Sequence, residues 1–207
     1  MKKQLSLAIV LLISLLALPA HAAFFLRGTG PDNNPSVIFL DSAAPTAATP
    51  KYRDSASVKF AGGNQWKEIG TWGMATTGTL TEANELHVWL GLKNSDDMGT
   101  RFDLWAELYR NATTLVTAGE LYCITGITRN PTLAKEVVLS FTAFSSVDFN
   151  TGDSLSLRVL TRIGTNGSGA FCGGHSNAVG LRLYFDAVYT LPNYEPQMGV
   201  KLGDTFV

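Results

Sequence analysis

The sequence is poor in charge, because acidic and basic residues make up only 16% of its 207 residues, whereas an ordinary domain has about 25%. The 16 Lys and Arg residues nearly balance the 17 Asp and Glu residues. This balance argues against a basic nucleic-acid-binding protein and against an acidic disordered tail. We therefore expect no nucleic acid among the partners of this protein.

Long hydrophobic runs are absent after residue 18. The one such run, Leu5 to Leu18, is about 14 residues long, whereas a membrane-spanning helix needs about 20. Lys2 and Lys3 precede this run, and Ala20-His-Ala22 follows it with small residues at the two positions that a signal peptidase reads. We therefore predict that residues 1–22 are a secretory signal peptide. The mature chain would have no membrane span and would be secreted, either periplasmic or extracellular.

Cysteine is scarce as well, with only Cys123 and Cys172 in the chain. In an exported protein two cysteines most simply form one disulfide, and this bridge would stabilise the fold by roughly 4 kcal/mol in the chain-entropy model. A zinc site is the competing interpretation, but the CxxC and HxxxH spacings typical of zinc ligands are missing. A nucleophilic Cys172 beside His175 is less favoured in an oxidising compartment.

The chain also lacks the short motifs of common enzyme classes. It contains no Gly-x-Ser-x-Gly nucleophile elbow, and its glycine-rich stretch 164–174 lacks the Lys-Ser or Lys-Thr ending of a phosphate-binding loop. Glycosidases place two carboxylates about 5–10 Å apart. Asp103 and Glu107, four residues apart on one predicted strand, would be about 13 Å apart. We therefore predict that the protein is not an enzyme.

Period-two alternation of apolar and polar residues dominates the middle of the chain, and it is typical of half-buried strands. Turn-forming residues separate these segments. We predict an all-β fold, a two-sheet antiparallel sandwich in jelly-roll or Greek-key order, over residues 58–192. The alternating segments are 86–92, 102–108, 137–141, 155–159 and 181–185.

The two ends of the predicted mature chain have a different character. Residues 23–57 carry four prolines and are predicted to form an extended N-terminal arm, with Val37 to Leu40 as its one strong strand. Residues 193–207 are predicted to be a C-terminal tail.

Aromatic and charged side chains share the polar positions of several predicted strands. Flat rings cover the apolar faces of sugars, while charged groups bind sugar hydroxyls, so this pattern indicates a carbohydrate-binding face. We expect Trp89 and Trp105 to lie on neighbouring strands and to form one platform. The alternative is that the arm buries these aromatics, as tryptophan is often buried in sandwiches. The candidate ligand-binding residues are His87, Trp89, Trp105, Glu107, Tyr109 and Tyr184.

A second candidate site is the polar turn that starts at Asn94. Hard oxygen ligands suit Ca²⁺, and the side chains of Asn94, Asp96, Asp97 and Asp103 could supply them. The spacing does not match the twelve-residue EF-hand loop. The alternative is a plain polar turn with local side-chain hydrogen bonds.

The segments Leu86-His-Val-Trp-Leu-Gly-Leu92, Phe102-Asp-Leu-Trp-Ala-Glu-Leu108 and Gly152-Asp-Ser-Leu-Ser-Leu-Arg158 give the chain a layout that resembles secreted bacterial jelly-roll modules of the carbohydrate-binding or surface-adhesion kind. The resemblance is architectural and covers about residues 58–190. It implies a structural calcium ion and a concave sheet that presents Trp89, Trp105 and Tyr109.

The sequence therefore predicts an exported, non-catalytic β-sandwich that binds a glycan at the cell surface or outside the cell. The alternative is a subunit of an extracellular matrix or filament. In that case the partner would be a neighbouring copy, and the arm strand Val37 to Leu40 would complete its sheet edge.

Overall fold

The computed structural model describes residues 21–187 and 197–202. The predicted signal peptide lies outside the described residues except for His21 and Ala22, which begin the first strand. Within the described part of the chain, no helix is long and apolar enough to cross a membrane.

The described residues are all-β, as predicted, with two short 3₁₀ turns at Ser95–Asp97 and Pro131–Leu133. The alternating segments lie in strands, apart from Phe141, which follows β9 directly, because alternate side chains of a strand point to opposite faces. The strands are β1 His21–Thr29, β2 Val37–Asp41, β3 Lys51–Asp54, β4 Val58–Lys59, β5 Lys67–Ala75, β6 Gly78–Leu92, β7 Phe102–Arg110, β8 Thr114–Ile124, β9 Lys135–Ser140, β10 Val147–Phe149, β11 Ser154–Ile163, β12 Asn177–Ala178, β13 Leu181–Phe185 and β14 Gln197–Leu202.

Ten strands form one hydrogen-bonded path in the order β3-β13-β6-β14-β1-β2-β5-β11-β7-β8, and β9 and β10 pair with the other edge of β6. Among the described strands the pairings are antiparallel, apart from a parallel bridge between β2 and β5, and Asn33 forms a further isolated parallel bridge with Tyr52 of β3. Strands β4 and β12 form a separate pair. The non-sequential order requires crossovers, as Greek-key and jelly-roll topologies do.

The path folds back on itself and forms a sandwich around one core. Trp72 of β5 and Phe185 of β13, which are distant along the path, meet with ring centres 5.3 Å apart and planes at 85°. This edge-to-face contact is one that aromatic rings prefer. At the ends of the path, β8 reaches the segment after β9, where the Thr117 hydroxyl donates to the Thr142 carbonyl over 2.6 Å. The predicted two-sheet antiparallel sandwich is therefore confirmed.

Residues 23–57 do not form a separate arm. They contain β2, β3 and most of β1, and their side chains Phe24, Leu26 and Leu40 are buried in the core. Strand β2, which contains the segment predicted to add to a neighbour, lies between β1 and β5 of the same chain. The arm is therefore part of the sandwich, because its apolar side chains fill the core.

The predicted C-terminal tail also contains a strand. Strand β14 pairs with β1 on one side and with β6 on the other, so it joins the two halves of the strand path. Met198, Val200 and Leu202 alternate with Gln197, Gly199 and Lys201 in the sequence of β14, as is typical of a strand. Its role follows from the two strand edges that it covers.

The predicted disulfide is confirmed. Cys123, at the end of β8, bonds to Cys172 in the loop after β11, with 6.1 Å between the two α-carbons. This separation lies in the usual range for disulfides. The bridge ties the glycine-rich loop to the end of β8.

We expect Cys123→Ser to lower the free energy of unfolding by about 2–5 kcal/mol, the usual effect of losing a native bridge in a small secreted domain. Denaturant unfolding of the oxidised protein measures this change. The matched control is the double variant Cys123→Ser with Cys172→Ser, which should lose a similar amount without leaving a free thiol. Two free thiols in the mass spectrum of the oxidised protein would contradict the prediction.

Candidate functional site

The structure separates the two tryptophans that were predicted to form one platform. Trp89 lies on β6, which pairs with β13 and β9 at this position. Trp105 lies on β7, which pairs with β11 and β8. The prediction of neighbouring strands was therefore wrong. The physical reason for this separation is the crossover between the sheets. Because of it, strands that are consecutive in the sequence lie in different parts of the sandwich.

Trp89 and Tyr184 face each other across β6 and β13, and only 2% and 3% of their surfaces are exposed. Tyr52 of β3 packs against them, with its ring centre 6.1 Å from that of Tyr184. For these two residues the structure matches the alternative interpretation, in which the N-terminal segment buries the aromatics. They form a small second core.

A cavity of about 410 Å³ lies beside this second core and is lined in part by Tyr52, Arg182 and Tyr184. The guanidinium of Arg182 lies 3.6 Å from the Tyr52 ring centre. Two of its nitrogens donate to the Asp54 carboxylate, over 2.7 and 2.9 Å. Burial opposes the charge on Arg182, but the hydrogen bonds and charge of Asp54 outweigh it and raise the pKa of Arg182. Its charge is therefore already matched by a protein partner.

His87 lies apart from the second core formed by Trp89 and Tyr184. Its ring lies between two carboxylates, with Nδ1 3.3 Å from Glu136 and Nε2 3.5 Å from Glu85. The side chain is partly exposed. This is a polar cluster on the β6–β9 ladder.

The other predicted ligand-binding residues, Trp105, Glu107 and Tyr109, do come together. They occupy alternate positions of β7 and therefore share one face of the β5–β11–β7–β8 sheet. Glu107 is only 3% exposed, and Arg158 of β11, directly opposite it, donates to its carboxylate over 2.7 Å from Nε. Arg158 also donates from Nη2 to the Tyr109 hydroxyl over 3.0 Å.

These contacts favour the protonated form of Tyr109. Burial raises the pKa of its hydroxyl, the charge of Glu107 raises it further, and Arg158 opposes this effect. Tyr109 therefore keeps its proton at neutral pH and remains a hydrogen-bond donor. Its ring centre is 5.2 Å from the Arg158 guanidinium, within the range of a cation–π contact.

Sequence reasoning missed Trp66, which lies just before β5. Its ring centre is 5.2 Å from that of Trp105, with the planes at 58°, and the Arg162 guanidinium lies 4.2 Å from the Trp66 ring centre. No alternating segment includes Trp66, so no local pattern in the sequence pointed to it. We call the surface formed by Trp66, Trp105, Glu107, Tyr109, Arg158 and Arg162 the aromatic face.

The four predicted calcium ligands do not form a common site. Asp103 is fully buried, and its two carboxylate oxygens accept from the Cys123 and Thr165 backbone N–H groups, the Thr165 hydroxyl and Arg162. Asn94 instead caps the 3₁₀ turn by accepting from the Asp96 N–H. These hydrogen bonds occupy oxygens that a metal ion would need.

The remaining acidic residue of the turn, Asp97, accepts a hydrogen bond from the Val179 N–H over 2.9 Å. Across the described parts of the chain, no three His, Cys, Asp or Glu side chains are grouped as a metal site requires. The structure therefore does not bring the predicted ligands together. The alternative interpretation, a polar turn with local side-chain hydrogen bonds, describes the segment around Asn94 and Asp96.

Comparison with known proteins extends only to the fold. No family model matches the chain, and no curated protein matches it in sequence. Two solved structures of a CocE/NonD family hydrolase from Staphylococcus aureus are similar to it, with TM-scores of 0.53 and 0.50 and sequence identities of 13% and 11%. They cover 89% and 90% of this chain, which spans 36% and 37% of theirs. A structure of infectious bursal disease virus matches at a TM-score of 0.33 and 12% identity, covering 85% of this chain and 44% of that chain.

These matches correct one prediction and limit another. The prediction that the protein is not an enzyme is contradicted, because two of the similar structures are hydrolases. At 11–13% identity the likeness is one of fold, and this chain spans little more than a third of the hydrolase. The resemblance to secreted jelly-roll modules is supported at the level of the β-sandwich, and neither a carbohydrate-binding nor an adhesion family is shown.

Proposed function

We propose that this protein is exported and binds carbohydrate through the aromatic face. The observation that carries the proposal is the combination on one sheet face of the Trp66–Trp105 ring pair with the Glu107–Arg158–Tyr109 hydrogen-bond chain. Rings of this kind cover the apolar faces of sugar residues, and the polar groups beside them bind hydroxyls.

The polar part of the aromatic face is already held in place before a ligand arrives. Glu107 is buried and bound to Arg158, while 38% of the Arg158 side chain is exposed. The guanidinium can therefore donate to a ligand without losing its anchor. Fixed donors beside fixed rings reduce the entropy that binding must overcome.

Export rests on two features. The first 22 residues have the pattern of a secretory signal peptide, and the Cys123–Cys172 bridge is of the kind that persists in oxidising compartments. Both are consistent with a protein that meets polysaccharide in the periplasm or outside the cell.

We expect Trp105→Ala to weaken binding to a neutral polysaccharide by roughly 1–3 kcal/mol, because the lost ring is central to the aromatic face. A glycan array on the oxidised protein identifies the ligand, and titration calorimetry measures the affinity. The matched control is Trp89→Ala, which removes a buried ring from the other aromatic group. It should cost about 3–5 kcal/mol of stability and leave the affinity of the folded protein unchanged.

Two results would count against carbohydrate binding. One is an array on which the parent protein retains no glycan. The other is a Trp105→Ala variant that loses several kcal/mol of stability and binds as tightly as the parent, because Trp105 would then be a packing residue only.

Hydrolysis is the second candidate function, and His87 is the observation that favours it. Its imidazole lies between Glu85 and Glu136 and is partly exposed, as a general base that activates water must be. The likeness to a CocE/NonD family hydrolase makes this candidate worth an assay.

If His87 is such a base, the oxidised protein turns over at least one of a panel of chromogenic esters, amides and glycosides. His87→Gln should then abolish the turnover. His175→Gln, which alters an exposed loop histidine, is the matched control and should leave it unchanged. Equal activity of all three proteins would assign the turnover to a contaminant.

A further inference from the structure

A second cavity lies beside the β4–β12 pair, and its lining residues Gln65 and Lys67 flank Trp66 of the aromatic face. Its volume is about 530 Å³, within the range of small-molecule sites. Three segments of the chain build it: residues 57–67, which contain β4, the following turn and the first residue of β5, then the 3₁₀ turn at Ser95–Asp97, and β12 with Val179. Its polar lining includes Lys59, Gln65, Lys67, Asp97 and Asn177.

Two cations line this cavity without partners of their own. Lys59 and Lys67 form no ion pair within residues 21–187 and 197–202. The Cε of Lys59 lies 3.9 Å from the point that a β-carbon on Gly62 would occupy. Its stem therefore lies over the tight turn at Gly62, whose φ of +81° suits glycine. The two ammonium groups give the cavity a positive side.

The opposite charge comes from Asp97, which is 94% buried and 6% exposed. Its Oδ2 accepts from the Val179 N–H, and among the described residues no hydrogen bond reaches Oδ1. Nor does any described cation lie within ion-pairing distance of this carboxylate. The Oδ1 atom is not one of the buried atoms that lack a partner, so it is open to water or to a ligand donor, and the cavity offers an acceptor beside its two cations.

This arrangement selects one ligand chemistry. The lysines suit an anion, while Asp97 suits hydroxyl donors and repels a compact dianion such as phosphate. Gln65 and Asn177 add amide groups that both donate and accept. We propose that this cavity binds a hydroxylated carboxylate of the uronic acid class, with its carboxylate at Lys59 and Lys67 and a hydroxyl donating to Asp97.

The test is titration of the full oxidised protein with glucuronate, galacturonate, glucose and inorganic phosphate. Binding is measured by calorimetry or by changes in amide chemical shifts. A uronate should bind at least roughly tenfold more tightly than glucose, the ratio that 1.4 kcal/mol of charge-assisted binding gives. It should also bind more tightly than phosphate. Its affinity should fall as salt is added, because the lysines are accessible to solvent.

Variants assign the binding to this cavity. Lys59→Gln with Lys67→Gln should weaken uronate binding by roughly tenfold or more, whereas Lys135→Gln, on an exposed position of β9, is the matched control and should have no effect. Asp97→Asn should weaken uronate and strengthen phosphate, because it removes the like charge. The lysine variants keep the test valid if Asp97→Asn does not fold.

The proposal is overturned if no uronate binds, if phosphate binds more tightly than uronate, or if Lys135→Gln has the same effect as the lysine pair. Tyr109→Phe, which removes a hydroxyl of the aromatic face without touching Trp66, separates the two sites, since it should leave uronate binding unchanged. The proposal for the cavity and the proposal for the aromatic face can therefore be refuted independently of each other.

Discussion

The buried carboxylate of Asp103 holds together the end of the sandwich on which the aromatic face depends. It accepts backbone hydrogen bonds from Cys123 at the end of β8 and from Thr165 after β11. It also pairs with Arg162 over 2.9 Å. Because all four acceptor sites of a carboxylate can be used in this way, a fully buried charge is tolerated at this position.

Arg162 connects Asp103 to the aromatic face. One side of its guanidinium is bound by Asp103, and Trp66 lies 4.2 Å from it, next to Trp105. The disulfide, whose Cys123 N–H also binds Asp103, ties the same end of the sandwich to the glycine-rich loop. The position of the two tryptophan rings therefore follows from one buried charge and its donors. Removing one partner from such a network leaves an uncompensated buried group, which is strongly destabilising.

The fold likeness and the proposed sites are separate kinds of information. A β-sandwich can support unrelated functions, so the likeness to a hydrolase describes the scaffold of this chain. The two proposed sites use different residues of that scaffold, although Gln65 and Lys67 of the cavity flank Trp66 of the aromatic face. The aromatic face covers β7 and β11, whereas the cavity with Lys59 and Asp97 lies where β4 and β12 meet the 3₁₀ turn. Neither site requires residues from the other.

Local pattern was sufficient to predict several features. Alternation identified β7, β11 and β13, because the strand period is set by the backbone of each strand alone. The Cys123–Cys172 bridge could be predicted because an exported chain with two cysteines has one possible pairing. The placement of Trp105, Glu107 and Tyr109 on one face followed from their spacing on a single strand.

Features that depend on contacts between distant strands could not be predicted. Trp89 and Trp105 have the same alternation, but β6 and β7 lie in different parts of the sheet path, and Tyr52 from the N-terminal segment covers only the group that includes Trp89. The pairing of β14, the burial of Asp103 and the partnership of Trp66 with Trp105 depend on strand order in the same way. The sequence by itself determined which residues form strands, because that periodicity is local. Only the tertiary structure decided which strand faces meet, because pairing depends on crossovers that leave no local pattern.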